Sequence, residues 1–337
     1  MKKIKIIDVA EHAGVSKSTI SQFLSGRFNY MSENTRHKIE KAIKDLDYVP
    51  NPIARSLKTD KTKTIGVIVR NITGYDTSHV LRGIDDFCKT SEYNVLIYNT
   101  DFNAETEARA LESLKSMRVD GIIIASSGKN QDIIDGHIES QFPLVQFQLE
   151  YEKCSANIVL SDYRAAAFEA TEYLIKLGHT KICFITQKFE GIRSREERYQ
   201  GYVEALTTYK IKVDTKLIKY WDRETSFHQP LAETLKEQQP TAIFSQHLAI
   251  TIDVIKELEK LTISMPQDIS LLGFDDIPMV EHFKVPITVI KQDPYKTGVE
   301  SARLLLNNIN FEKTDNDIFK TERITIPCEL IKRNSCK

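Results

Sequence analysis

The strongest constraint on the fold is a stretch near the start of the chain in which a glycine separates two short helical patterns. It runs from residue 8 to residue 24 and reads DVAEHAGVSKSTISQFL. Apolar residues recur at helical spacing before Gly14 and continue after it, so one compact face is buried. Ser16 stands where the N-cap of a second helix belongs. The pattern predicts a helix-turn-helix unit.

The second helix of this unit has a polar side suited to reading DNA. Once its apolar positions are buried, the positions left over are Lys17, Ser18, Ser21 and Gln22. Ser18 and Gln22 are four residues apart and share one side of the helix, with Lys17 beside them in the first turn. In helix-turn-helix proteins this side faces base edges in the major groove. An ordinary helical hairpin with a solvated polar face has the same pattern, so this stretch alone leaves both interpretations open.

A third helix is predicted over residues 32–48. Ser32 is placed to cap it, and Ile39, Ile43 and Leu46 form its buried stripe. Three short helices of this kind can close a small core. The prediction therefore favours a compact DNA-binding head over an isolated hairpin.

The segment PNPIARSL, residues 50–57, has the start signals of one more helix. Asn51 can cap it and Pro52 fits its first position, but fewer than two turns precede the linker at 58–63. A helix this short is marginal alone, because isolated helices need roughly 12 or more residues. We expect it to form only when DNA holds it.

Motifs along the whole chain resemble the lactose-repressor/galactose-repressor (LacI/GalR) family of bacterial transcription regulators. They are DVAEHAGVSKSTISQFLSG, MSENTRHKIEKAI, LDYVPNPIARSLKT and KTIGVIV, followed later by LRGIDD, YLIKLGHTKICFI, ERYQGY, MPQDISLLGFDD and PITVIKQD. The resemblance implies a sequence-specific repressor of carbohydrate or sugar-acid catabolism genes. It also implies a homodimer that binds a palindromic double-stranded operator and is controlled by a small-molecule effector. In the short segment before the linker, the resemblance assigns DNA contacts to Asn51, Ala54 and Leu57, with Leu57 as the residue that wedges into the duplex.

The resemblance further implies the domain organisation. The expected fold is a small all-α helix-turn-helix headpiece followed by an α/β body of two doubly wound parallel-sheet subdomains, periplasmic-binding-protein-like in type. The expected boundaries are 1–49 for the headpiece, 50–63 for the hinge helix and linker, 64–161 with 290–320 for the first subdomain, and 162–289 with 321–337 for the second. The strand ITVIKQD is thereby assigned to the first subdomain and the last strand, RITIPCELI, to the second. The dimer is expected to form through helices near 77–91 and 103–116, with Leu81, Ile84 and Phe87 contributing.

Strand and helix patterns alternate from residue 64 onward, which agrees with the two-subdomain body. The strand patterns are TIGVIVR, NVLIYNT, GIIIAS, LVQFQ and NIVL, and then KICFIT, LIKYW, AIFS and ISLLGF. Helical patterns separate most of them, including one near 226–237. Ligands of such folds bind in the crevice at the carboxyl ends of the strands. We therefore expect effector contacts in the loops that follow the strands.

The residues that the resemblance places in this crevice depart from the family pattern in ways that favour an anionic ligand. A common aromatic pair is replaced by Asp76 and Thr77, an asparagine after Asp162 by Tyr163, and an Asn-Asp pair by His247 and Leu248. The expected effector contacts are Asp76, Thr77, Asp162, Arg195, Arg198, His247 and Asp275. Two arginines suit a carboxylate or phosphate, and His247 can add a positive charge. An ordinary packed or solvent-facing role for His247 is equally open.

A small polyhydroxylated acid is therefore the expected effector, ahead of a neutral sugar. The run SKSTISQFLSGRFNYMS also resembles, loosely, sugar-acid repressors of the 2-keto-3-deoxygluconate type. Whether the effector releases or promotes DNA binding stays open at this point.

Charge and motif content agree with a regulator. Residues 1–64 carry 13 Lys and Arg against 7 Asp and Glu, while the whole chain has a net charge of −1, so a basic head precedes an acidic body. The chain has no G-x-S-x-G elbow, phosphate loop or G-x-G-x-x-G, so a sugar-modifying enzyme is only the runner-up. Five cysteines without a C-x-x-C pair favour reduced thiols, and we expect no metal and no cofactor. The start of the chain lacks a signal-peptide pattern, so we expect a cytoplasmic protein rather than an extracytoplasmic sugar-binding protein.

Overall fold

The computed structural model describes residues 4–29, 31–49, 61–151, 156–311 and 321–337. The chain divides into two compact units, a head that ends at Lys63 and a body that runs from Thr64 to Lys337. Within the described residues, no helix is long and apolar enough to cross a membrane.

The head contains three short helices around one apolar core. They are α1 (Ile6–Ala13), α2 (Lys17–Leu24) and α3 (Glu33–Asp45). Gly14 ends α1 in the left-handed conformation, at φ 64°, and donates its N–H back to carbonyls of α1. A residue with a Cβ is strained in this conformation, so glycine is the suitable residue here.

Local capping explains where α2 and α3 begin, and it confirms two predictions. The Ser16 hydroxyl accepts a hydrogen bond from the Thr19 N–H at 3.1 Å, and the Ser32 hydroxyl accepts one from the Thr35 N–H at 3.2 Å. The buried core of the head consists of Val9, Ala10, Ala13, Ile20, Ile39 and Ala42. The prediction of a third helix was too long, because α3 ends at Asp45 rather than at residue 48.

The body contains a first sheet of six parallel strands in the order β12-β5-β4-β3-β1-β2. Its strands are β1 (Thr64–Val69), β2 (Asn94–Asn99), β3 (Gly121–Ile124), β4 (Leu144–Phe147), β5 (Asn157–Ser161) and β12 (Arg323–Ile326). The helices that pack on it are α4 (Tyr75–Thr90), α5 (Ala104–Ser116), α6 (Gln131–Glu139) and α11 (Pro294–Asn310). Strand β1 is buried along most of its length, as expected for a strand covered on both faces.

Helices α4 and α11 approach each other closely at two glycines. A Cβ on Gly83 would lie 2.2 Å from the Tyr295 carbonyl oxygen, and one on Gly298 would lie 2.1 Å from the Val80 carbonyl oxygen. The two backbones can therefore touch only because neither position carries a side chain. This contact fixes the start of α4, which carries Asp76, against the segment that enters α11.

The second sheet has seven strands in the order β13-β11-β10-β9-β6-β7-β8. They are β6 (Ile182–Thr186), β7 (Ile218–Asp222), β8 (Ser226–Phe227), β9 (Ala242–Ser245), β10 (Ser270–Phe274), β11 (Thr288–Lys291) and β13 (Glu329–Ile331). The associated helices are α7 (Tyr163–Lys176), α8 (Arg193–Thr208), α9 (Leu231–Gln238) and α10 (Leu248–Lys260). The helix expected near 226–237 begins later, at Leu231, because β8 occupies the start of that segment.

One strand assignment from the resemblance was wrong, and another was right only for its second half. Strand β11, from ITVIKQD, pairs with β10 in the second sheet and not with the first. The expected last strand breaks at Pro327 into β12, which pairs with β5 in the first sheet, and β13, which pairs with β11 in the second. The physical reason is burial on both faces of β11, where Val289 and Ile290 belong to apolar clusters on opposite sides of the second sheet. An edge strand of the first sheet would leave such residues exposed.

The chain therefore crosses between the sheets at three places. It leaves the first sheet after Ser161, returns between Lys291 and Pro294, and leaves again between Ile326 and Glu329. Of the candidate ligand residues, Asp162 directly follows the first crossing.

Candidate nucleic-acid interface and ligand cleft

The exposed side of α2 carries the residues expected to contact DNA. Lys17, Ser18 and Gln22 are exposed, and Ser21 is partly buried. The Ser18 hydroxyl lies 2.6 Å from the Ser16 hydroxyl, so it already belongs to the capping network at the start of the helix. Lys17 thus extends from a helix start that is well anchored, and Gln22 lies further along the same helix. Asn51, Ala54 and Leu57 lie outside the described residues.

Arg198 is the most buried basic residue of the body cleft, and it lies on the second turn of α8. Only 8% of its surface is exposed. Its guanidinium carbon lies 3.8 Å from the centre of the Tyr163 ring and 4.6 Å from that of Phe274, so two rings hold the charged group in place. Nη1 donates to the Ser194 carbonyl at 3.3 Å, while Nε is buried and has no hydrogen-bond partner among the described residues. A buried donor without a partner is costly, which is typical of a site that a ligand completes.

Asp275 directly follows β10 and faces the crossing after β11. Its Oδ2 accepts a hydrogen bond from the Leu248 N–H at 3.2 Å, and its Oδ1 accepts one from the Gln292 amide at 2.5 Å. The oxygen of the same Gln292 amide accepts a hydrogen bond from the Ser161 hydroxyl at 2.6 Å. A single chain of hydrogen bonds therefore joins the end of β5 in the first sheet to the end of β10 in the second.

Asp76 lies in the first turn of α4 and belongs to the same group. Burial raises the pKa of this carboxyl, the charge of Asp275 raises it further, and Arg198 opposes the change. The carboxyl groups of Asp76 and Asp275, which belong to different halves of the body, therefore repel each other, and Arg198 offsets part of this repulsion. Thr77 follows in the same helical turn and is partly buried.

His247 is the N-cap of α10, which corrects the expectation of a positive charge. Its Nδ1 accepts a hydrogen bond from the Ala249 N–H at 3.1 Å, so this nitrogen carries no proton. Burial lowers the pKa of the ring to about 4, and three arginines, Arg223, Arg198 and Arg70, lower it further against the opposing effect of Asp275. At neutral pH His247 is an uncharged capping residue.

The two remaining expected contacts have different environments. Arg195 is partly buried, donates from Nη1 to the Lys188 carbonyl at 2.6 Å, and has its pKa lowered to about 10, chiefly by burial. It lies close enough to Tyr151 and Arg70 to interact with them electrostatically. Asp162 instead caps α7 by accepting a hydrogen bond from the Ala165 N–H at 3.1 Å, which gives it a structural role of its own.

Sequence reasoning missed two arginines at the carboxyl ends of strands. Arg70 follows β1, and its Nη2 donates to the Gln148 amide oxygen at 2.9 Å, while its Nε is buried without a hydrogen-bond partner among the described residues. Arg223 follows β7. The guanidinium carbons of Arg70 and Arg223 lie 5.5 Å and 5.2 Å from the centre of one ring, that of Phe102. Their positions directly after strands were the available signal.

The part of the cleft beside Asp76 is nearly closed in this structure. Asp76, Gln148, Tyr163 and Gln292 line a cavity of about 20 Å³, little more than one water molecule needs. A sugar-sized ligand that reaches this part therefore requires the surrounding side chains or the two sheets to move apart. Coupling between ligand binding and body conformation follows directly from this geometry.

Comparison with known proteins gives matches over both units. The family model described as bacterial regulatory proteins, lacI family, matches residues 5–51, and the one described as periplasmic binding protein-like domain matches residues 171–336. The probable HTH-type transcriptional regulator EndR of Paenibacillus polymyxa is 36% identical over 313 residues, covering 92% of this chain and 92% of the relative. The HTH-type transcriptional regulator KdgR of Bacillus subtilis (strain 168) is 30% identical over 316 residues, covering 91% of this chain and 92% of the relative. A solved lac repressor dimer, bound to operator and the anti-inducer ONPF, shares the fold with a TM-score of 0.82 at 24% identity, over 99% of each chain.

Proposed function

The chain belongs to the LacI family of bacterial transcription regulators, and from this membership we propose that it is a repressor controlled by an anionic sugar-type ligand. It is a DNA-binding transcription regulator and not an enzyme. As a regulator of operator DNA, it acts where the chromosome is, in the cytoplasm. The contacts, the ligand and the assembly proposed below go beyond this membership.

The proposed DNA contacts are the exposed residues of α2. Lys17, Ser18 and Gln22 enter the major groove, with Ser21 at the edge of the contact, and Asn51, Ala54 and Leu57 contact the minor groove from the hinge segment. Two heads of a homodimer then contact the two halves of a palindromic operator. The capping network that anchors the start of α2 supports this assignment, because base recognition needs a rigid helix.

The proposed effector is a small polyhydroxylated acid, held in the cleft by Arg198, Arg195, Asp275 and Asp76. The observation that carries this proposal is the buried Arg198 guanidinium, which two aromatic rings hold in place and which has an unpartnered Nε. A carboxylate offers the two acceptors that such a planar group requires. Asp275 and Asp76 are available to hydroxyl groups of the same ligand.

Thermal unfolding of the full-length protein in the presence of sugar acids and matched neutral polyols tests this proposal. A ligand that binds only the native state raises the unfolding midpoint by mass action. We expect an acid to raise the midpoint and to change the affinity for a selected operator. The Arg198→Gln variant should abolish the effect of the acid, whereas Arg164→Gln, on the exposed side of α7, should leave it intact. Stabilisation by a neutral polyol alone would contradict the proposal.

A further inference from the structure

We propose that the cleft has a second anion subsite, formed by Arg70 and Arg223, and that the effector is therefore a doubly charged sugar acid. The inference rests on the proposed function, since it assigns a second group of the same ligand. A six-carbon aldarate, with a carboxylate at each end of a polyol, is the simplest ligand of this class.

The position of Phe102 carries the geometric part of the argument. This residue follows β2 and is 47% exposed, yet both Arg70 and Arg223 extend over its ring. Arg70 follows a strand of the first sheet and Arg223 a strand of the second, so like-charged groups from both sheets contact the same ring. Cation–π contacts at an exposed ring are weak, so Phe102 by itself does little to offset the repulsion between these two cations.

The lack of carboxylate partners is the second observation. Six arginines of the body form ion pairs with Asp or Glu: Arg82, Arg164, Arg193, Arg303, Arg323 and Arg333. Within the described residues, none of the four cleft arginines does so, although three of them are buried or partly buried. Buried charges in proteins are normally paired. These four arginines without an ion pair lie where a ligand is expected.

The carboxylates near the cleft already accept hydrogen bonds from neighbouring groups of the protein. Asp275 accepts hydrogen bonds from Leu248 and Gln292, and Glu107, which is fully buried, accepts bonds from Ser127 and Asn130. Burial also keeps the pKa of Asp76 high, so this carboxyl adds little negative charge at neutral pH. Arg70 senses the charge of the buried Glu107, but the two form no ion pair, so a single ligand carboxylate at Arg198 and Arg195 leaves Arg70 and Arg223 without a carboxylate partner in direct contact. A second carboxylate supplies this partner through charge-assisted hydrogen bonds.

The second subsite also has a regulatory consequence. Because its two arginines come from different sheets, an anion between them favours the arrangement in which the sheets are close together. A ligand can shift a conformational equilibrium only by its difference in affinity between the two states. The second carboxylate provides such a difference, whereas a carboxylate bound only by residues of α8 does not.

Three six-carbon compounds with the same hydroxylated chain and zero, one or two terminal carboxylates test this inference: glucitol, gluconate and glucarate. Their affinities for the full-length protein are measured by titration calorimetry. We expect the order glucarate, then gluconate, then glucitol, with glucarate roughly 10-fold or more tighter than gluconate, the effect of one charge-assisted pair. Arg223→Gln should remove the advantage of glucarate, so that its affinity falls to about that of gluconate. Arg223 is exposed in a turn, so this substitution is safe for folding, and Arg223→Glu should reverse the preference.

The possible outcomes separate the two proposals. Equal affinity for gluconate and glucarate, together with no effect of Arg223→Gln, would overturn the second subsite and leave the proposed function standing. Failure of both acids to bind the wild-type protein would overturn the proposed function and the second subsite together. An equal loss of both acids in Arg223→Gln would also overturn the second subsite, because it would place Arg223 at the first carboxylate. The exposed Arg164→Gln variant should bind all three polyols as the wild type does.

Discussion

Gln292 donates a 2.5 Å hydrogen bond to Asp275, and its own amide oxygen accepts one from Ser161 at 2.6 Å. The side chain of Gln292, on a crossover segment, thus contacts a carboxylate after a strand of the second sheet, which is a candidate ligand contact, and a hydroxyl at the end of a strand of the first sheet. Both partners are buried, with exposures of 5% for Asp275 and 4% for Ser161. The position of the candidate ligand contact is therefore coupled to the connection between the sheets.

Replacement of Gln292 by Leu should weaken both folding and ligand binding. The substitution leaves Asp275 and Ser161 each without one partner, and a buried group without its partner costs about 1–3 kcal/mol. For a body of this size each kcal/mol lowers the unfolding midpoint by roughly 2–4 °C. Calorimetric melting of the variant measures this loss, with Gln200→Leu on the exposed side of α8 as the control. A midpoint unchanged from that of the control would show that the crossover does not hold Asp275.

The head could be predicted in detail because its determinants are local. Ser16 and Ser32 cap their helices through bonds to residues only three positions away, and Gly14 ends α1 by its own backbone freedom. Such signals are legible without any knowledge of the tertiary fold.

The cleft could be predicted only in part. Arg198 and Asp275 lie in motifs that the resemblance identifies, but the meeting of Arg70 and Arg223 over Phe102 depends on how two sheets approach each other. Strands β11 and β12 each lie in the sheet opposite to the expected one for the same reason. Each is a short apolar run next to a crossing, and its partner is chosen by burial in the complete sheet rather than by its own pattern.

Loss of the Ser16 cap should destabilise the head and reduce operator affinity together. Ser16→Ala removes the hydrogen bond from the Thr19 N–H and the contact with the Ser18 hydroxyl. Replacement of a serine N-cap by alanine costs about 1 kcal/mol. Circular dichroism melting and operator titration measure the two effects, with Ser32→Ala as the matched cap variant away from α2. If Ser32→Ala reduces operator affinity as much as Ser16→Ala does, the effect reflects general stability rather than the position of α2.

The base preference of the operator should depend on Gln22. Glutamine pairs with adenine N6 and N7, whereas arginine pairs with guanine O6 and N7. Gln22→Arg should therefore exchange an adenine for a guanine in each half-site selected from a random pool. Asn34→Arg, at an exposed position of α3, adds the same charge as a control. An unchanged preferred half-site in Gln22→Arg would show that Gln22 does not contact a base.

The homodimer interface should include the β2 edge of the first sheet in addition to the expected helices. Ile84 of α4 is fully buried in the core of the first sheet, whereas Leu81 and Phe87 are only partly buried. Exposed apolar side chains also occur on β2 and directly after α5, where Ile97 is 45% exposed and Met117 55%. Edge strands of this kind are natural pairing surfaces. Ile97→Lys should shift the protein toward the monomer in sedimentation at micromolar concentration, whereas Leu177→Lys, an exposed apolar residue after α7, should not.

The free energy of unfolding should depend on pH through the raised pKa of Asp76. Burial and the charge of Asp275 raise the pKa of this carboxyl to about 8, against the opposing charge of Arg198; Tyr75 and Tyr163 are the other titratable groups that sense it. The unfolded chain releases this proton near its ordinary pKa of 3.8, so between about pH 4 and pH 8 the folded state binds the extra proton and its stability falls as the pH rises. His247 acts in the opposite direction only below about pH 6.5, since its pKa in the folded state is lowered to about 4. From pH 6.5 to 8 the Asp76 effect therefore acts without that compensation.

Asp76→Asn keeps the position neutral, so its unfolding midpoint should exceed that of the wild type by a margin that grows through this window and then levels off. Melting curves from pH 5 to 9, with the exposed Asp132→Asn as control, measure the margin. If the difference in unfolding midpoint between the variant and the wild type is constant across this range, Asp76 is ionised in the folded protein. When the series is repeated with gluconate, the affinity of the wild type should fall above pH 8, whereas that of Asp76→Asn should not.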